Sequence, residues 1–111
     1  MSNQKNEGEE PLQDPWVEVI VLPRDLIDPD QNETADKLAE KLEERVNEAI
    51  EKNTSGGKYK QLKAVENEVK KAARDTDPDK IAEVEVTVTD EDADGDSVIH
   101  TVTCPTEKPV P

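Results

Sequence analysis

The chain has 111 residues, 28 of them acidic and 14 basic, for a net charge of −14, with no phenylalanine and with Trp16 and Tyr59 as its only aromatics. This length predicts one domain, the lack of any run of about eighteen apolar residues excludes a membrane-spanning helix, and a single cysteine excludes an internal disulfide. Strong acidity works against direct binding of nucleic acid or anionic membranes and favours basic partners or cations.

Residues 1–14 (MSNQKNEGEEPLQD) are polar and without periodicity. They are expected to form a disordered acidic tail, because such a segment buries too little to offset its ordering entropy. No apolar leader stretch is visible in it, so a cytoplasmic, soluble protein is expected. The folded domain is expected to span 15–104, a size at which an aliphatic core is thin and a homodimer would help.

Trp16 to Leu22 (WVEVIVL) reads as a strand stopped by Pro23. Val17, Val19 and Val21 form one face; Trp16, Ile20 and Leu22, with Glu18, form the other. A strand apolar on both faces is expected to sit centrally or to have something packed on each side. Residues 28–31 (DPDQ) then offer an N-cap, a proline at the first helical position and a glutamine at the third. Ala35, Leu38, Ala39, Leu42, Val46, Ala49 and Ile50 recur at three- and four-residue spacing, the stripe of an amphipathic helix. Gly56-Gly57 ends that segment. A second helix is predicted from about Lys58 to Arg74, with Tyr59, Leu62, Val65, Val69, Ala72 and Ala73 on its apolar face.

The last patterned stretch, 81–104, reads as a β-hairpin. Val84, Val86 and Val88 alternate with Glu83, Glu85, Thr87 and Thr89, the period of a strand with one buried face. Asp94-Gly95 is the expected turn centre. Val98, His100, Val102 and Cys104 share one face of the returning strand, and Ile99, Thr101 and Thr103 the other. Residues 105–111 (PTEKPVP) are expected to be a second disordered tail. The order β-α-α-β-β predicts a two-layer α+β domain, a three-stranded, mostly antiparallel sheet with an antiparallel helix pair on one face. The sequence leaves the strand order open.

Three constellations bear on function. Asp90, Asp92, Asp94 and Asp96, with Gly95, match the first half of a D-x-D-x-D-G calcium loop, since alternate carboxylates and a glycine bend can wrap a hard cation. The match then fails: the twelfth position is Thr101 rather than glutamate, and strands rather than helices flank the loop. Weak Ca²⁺ binding and a solvated acidic turn that discourages edge-to-edge pairing are the two readings. His100 and Cys104 are four residues apart on a strand, hence about 13 Å, too far for a thiol–imidazole pair, and zinc would lack most of its ligands. Lys58, Lys60, Lys63, Lys70, Lys71 and Arg74 make the second helix a basic island, either a solvated face or a dock for an acidic surface.

No nucleophile, base and oxyanion donors fall together, so no enzyme, resident cofactor or phosphate loop is expected. The leading expectation is a non-enzymatic protein-binding module of the inhibitor, adaptor or antitoxin type. A DNA mimic that blocks a nucleic-acid-binding protein, as in small acidic phage and mobile-element proteins, is the alternative; weak calcium binding is the third. If both helices cover the valine face, then Trp16, Ile20, Leu22 and Ile99 lie on an open face and form the expected partner-binding set. The competing arrangement covers that face with the 23–32 loop, whose Leu26 and Ile27 also need burial.

Overall fold

The computed structural model describes residues 10–91, 95 and 97–107. Strand β1 (Trp16–Pro23) leads through a loop to helix α1 (Pro29–Lys52). A 3₁₀ turn (Thr54–Gly56) reverses the chain into helix α2 (Gly57–Asp75), and the hairpin strands β2 (Ile81–Glu91) and β3 (Ser97–Pro105) follow. The predicted α+β order β-α-α-β-β is observed, with every strand pair antiparallel.

Local chemistry sets the element ends. Asp28 caps α1 by accepting from the Asp30 amide at 2.9 Å, and Pro29 occupies a position whose N–H would have no helical acceptor. Gly57 opens α2 at φ 85° and Gly95 lies in the hairpin turn at φ 87°, both in the left-handed region where a side chain would be strained.

The sheet order is β1-β2-β3, so β2 is central and β1 is an edge. This corrects the expectation that the doubly apolar β1 is central or covered on both sides. Apolar faces report what lies above and below a strand; pairing occurs in the perpendicular direction, through backbone groups that carry no side-chain signature. The hairpin ties β3 to one side of β2 and leaves its other side to β1.

Register assigns every strand residue to a face. Val17, Val88 and His100 form one row of the inner face, Val19, Val86 and Val102 the next, and Val21, Val84 and Cys104 the third. Both helices cover this inner face. Helix α1 lies mainly on β1, and α2 lies on β3 and β2. The core joins Leu42, Val46, Val65 and Val69 from the helices to Ile81, Val84, Val86 and Val88 of the central strand. The α2 stripe differs from the expected one at its first turn: Gln61 is buried and Tyr59 is exposed.

The packed region also extends beyond 15–104. Leu12 is a core residue, its amide donates to Gln61 Oε1 at 2.8 Å, and the Glu10 carbonyl accepts from the Lys58 amide at 2.9 Å. At the other end, Pro105 belongs to β3, and the Thr106 amide bonds the Ala82 carbonyl at 2.9 Å. Residues 10–14 and 105–106, placed in the tails by the sequence, thus make packing or hydrogen-bond contacts with the domain. One buried leucine and a few hydrogen bonds hold the short segment 10–14, and composition averaged over fourteen residues hides them. Residues 1–9 and 108–111 lie outside the described residues.

Candidate functional site

The outer face of the sheet is the candidate site. The same register that turns the valines inward sends Trp16, Glu18, Ile20 and Leu22 outward from β1, Glu83, Glu85, Thr87, Thr89 and Glu91 from β2, and Ile99, Thr101 and Thr103 from β3. Among the described residues no helix lies on this side. Trp16 and Ile99 are 73% and 67% exposed, and Ile20 and Leu22 43% and 40%. Leu26 and Ile27 in the β1–α1 loop are 69% and 88% exposed, so neither shelters the face by burying itself there.

The four apolar residues do not merge into one patch. Trp16 and Ile99 flank Thr89 in a single cross-strand row, two strand spacings apart at about 10 Å. Ile20 and Leu22 lie next to each other on β1, and Ile20 is four residues from Trp16, about 13 Å. Between the Trp16 row and the Ile20 row runs one polar row, Glu18, Thr87 and Thr101, and Glu85 and Thr103 fill the rest of the Ile20 row. Thr87 and Thr101 hydroxyls meet at 3.2 Å, and the Thr103 hydroxyl donates to Glu85 at 3.4 Å. The outward strand positions carry four glutamates (18, 83, 85 and 91) and no lysine or arginine. A surface of this kind has two apolar anchor points and a uniformly negative field, the complement of a basic surface with apolar projections.

The aspartate loop is different. Asp92, Asp94 and Asp96 lie outside the described residues. Asp90 is described and buried, and its carboxylate is already engaged: Oδ1 accepts from the Gln13 and Asp14 amides at 3.0 and 2.8 Å, and Oδ2 from Gln13 at 3.2 Å. A cation using Asp90 would share a carboxylate that already accepts three hydrogen bonds. Among the described residues no group of three His, Cys, Asp or Glu could hold a metal ion. Sequence pattern could not assign Asp90 this role, because its partners are backbone amides 76 and 77 positions away.

His100 and Cys104 both face the helix layer but line separate hollows. His100 borders one with Tyr59, Leu62, Lys63 and Glu66; Cys104, a free thiol, borders another with Lys70, Ala73, Arg74 and Pro105. Elsewhere, Lys80 ion-pairs Asp30 at 3.0 Å, and the hydrogen bond and charge of that carboxylate hold the lysine above its ordinary value. This pair ties α1's first turn to the start of β2 and lies away from the outer face.

Comparison with protein-family models, with curated proteins and with solved structures finds no match. Among the described residues no helix is long and apolar enough to cross a membrane.

Proposed function

We propose that this chain is a non-enzymatic protein-binding module, and that its partner is a protein whose basic surface docks on the outer face of the sheet. The observation that supports this is the uncovered face itself, with exposed Trp16, Ile20, Leu22 and Ile99 set among four glutamates and no cation. Exposed large apolar side chains on a regular sheet cost solvation unless a partner covers them, and tryptophan is enriched among residues that dominate binding energy. A second copy fits the face poorly. Face-to-face pairing would bring the glutamates of two chains, each at −14, against one another.

The test is the double variant Trp16→Ala with Ile20→Thr, compared with Glu83→Lys with Glu85→Lys, in affinity capture from source lysate at low and high salt. Both pairs should leave folding intact, since these side chains are wholly or partly exposed. Both should lose the partner captured by the wild type. An anchor made of Trp16 and Ile20 keeps binding at about 0.5 M salt, where exposed charge pairs are screened. A DNA mimic would instead release basic nucleic-acid-binding proteins steeply with salt and would be indifferent to Trp16→Ala. Early melting of the Trp16/Ile20 variant with binding retained would make those residues part of the core and end this reading.

A further inference from the structure

The free edge of β3 is a second surface, on different residues and independent of the outer face. Its backbone polarity follows from one hydrogen bond. The Thr106 amide donates to the Ala82 carbonyl, and this pair continues the register Glu83↔Pro105 and Val84↔Cys104. In an antiparallel ladder, hydrogen-bonded and non-hydrogen-bonded pairs alternate. Residues 98, 100, 102 and 104 therefore bond β2, and Ile99, Thr101 and Thr103 direct their N–H and C=O groups away from the sheet. Pro105 falls on the outward phase too, so its missing N–H costs the ladder nothing and ends the free run.

Beside this edge lies the basic flank of α2. Lys63, Lys70 and Arg74 line the two hollows that His100 and Cys104 border, and the second hollow has a volume of about 520 Å³. The dimensions agree. Lys63 to Arg74 is about 16 Å at the helical rise, and His100 to Pro105 is about 16 Å at the strand rise. The helix thus presents three cations beside β3, with Glu66 in the first hollow and Glu107 in the second as the acidic residues of their linings. Lys63 is paired with Glu66 at 3.4 Å and Arg74 with Asp75 at 3.2 Å, whereas Lys70 has no ion pair among the described residues. The opposite edge of the sheet has the opposite charge. Helix α2 carries six basic and three acidic residues; α1, which covers β1, carries eight acidic and four basic.

We propose that the β3 edge accepts an extended acidic segment of a partner protein as a fourth strand, its alternate carboxylates set in the groove against Lys63, Lys70 and Arg74. Strand addition supplies affinity through main-chain hydrogen bonds and selectivity through alternate side chains. Charge fixes which face of the added strand turns inward. On the helix side its carboxylates meet cations; on the other side they would meet the field of Glu83, Glu85 and Glu91 on β2. The same contrast directs an acidic strand to β3 rather than to the β1 edge.

The probe is an end-capped octapeptide alternating threonine and glutamate, with the threonine–lysine octapeptide as control. Binding is followed by amide hydrogen exchange and by NMR titration of the full chain. The expected result is slowed exchange at Ile99, Thr101 and Thr103 with the glutamate peptide alone. Lys70→Glu with Arg74→Glu should weaken binding at least tenfold. Thr101→Pro should abolish it while leaving the ladder to β2 intact, since the lost N–H faces outward. Retention of the native NMR spectrum separates that effect from misfolding, and the charge-reversal pair, on an exposed helix flank, gives a readout that does not touch the sheet. Equal binding of the lysine peptide, protection at Val17, Val19 and Val21 instead of β3, or no protection at either edge would overturn the proposal. So would concentration-dependent protection of β3 without peptide, accompanied by dimers in sedimentation, which would make a second copy the occupant.

Discussion

Gln61 does what no apolar residue could do at its position. It is buried at the reversal between the helices, where its amide donates to the Ile50 carbonyl at 2.8 Å and to Thr54 Oγ1 at 3.4 Å while its carbonyl accepts from Leu12. Replacing it with leucine keeps the volume and orphans the buried Leu12 amide, while the Ile50 carbonyl keeps the Asn53 amide and the Thr54 hydroxyl, each at 3.3 Å. Gln61→Leu should lower unfolding free energy by about 2 kcal/mol, the scale for unsatisfied buried backbone groups, as measured by urea titration. A loss below about 0.5 kcal/mol would mean that water replaces the amide. Asp90 plays the corresponding part at the hairpin. Asp90→Ala should speed hydrogen exchange at the Gln13 and Asp14 amides selectively, and a few millimolar Ca²⁺ should leave the wild-type melting temperature where an ionic-strength control leaves it. Lys80 contributes through its raised pKa. The stabilisation from its pairing with Asp30 is fully present below the ordinary lysine value of 10.5 and is lost as pH rises through the higher folded value. Lys80→Met should therefore flatten the alkaline limb of the stability profile and leave its shape near neutrality unchanged.

At the scale of elements, the segment 10–14 acts as a strap that runs from the start of α2 to the far end of β2. Three separate ties hold it: the Glu10 carbonyl on Lys58, Leu12 in the core, and the Gln13 and Asp14 amides on Asp90. Leu12→Ala should cost about 2 to 3 kcal/mol, the usual range for a buried leucine. Truncation to residue 15 should cost more, because it also strands Gln61 and Asp90. Equal stability of the chain beginning at 10 and the chain beginning at 15 would refute the strap. The opposite end has a smaller counterpart. Arg24 donates to the Pro78 carbonyl and to Thr106, and the Thr106 hydroxyl donates to the Ile81 carbonyl. The β1 end, the α2–β2 link and the end of β3 are thereby stapled together.

For the whole molecule, charge is the dominant global quantity. A net charge of −14 on a domain this small opposes compaction through self-repulsion. The ion pairs of the described residues involve largely exposed side chains, so salt removes little attraction when it screens them. Raising sodium chloride from about 0.02 to 0.3 M, over which the Debye length falls severalfold, should therefore raise the melting temperature in scanning calorimetry. A fall would mean that the local pairs outweigh the global field. The charge is also unevenly placed, acidic over α1 and the outer face and basic along α2. One small fold thereby offers two surfaces that attract partners of opposite sign.

The sequence by itself determined the elements, their order and which side of each is apolar. Those are local properties: a period of two or of 3.6, an Asp-Pro at a helix start, a glycine where φ must be positive. Residue-to-face assignment followed from the same periods, which is why Trp16, Ile20, Leu22 and Ile99 were legible as one face before any coordinates. Tertiary structure alone decided that β2 is central, that β1 and β3 are the edges, and that the apolar quartet is divided by a polar row. Strand order depends on backbone pairing across long sequence separations, and backbone groups are the same in every residue. It also decided the roles of Gln61, Asp90 and Leu12. A glutamine in an apolar stripe, an aspartate in an acidic run and a leucine in a polar tail each read as exceptions until their partners, 49 to 77 residues away, are brought within hydrogen-bonding or packing distance.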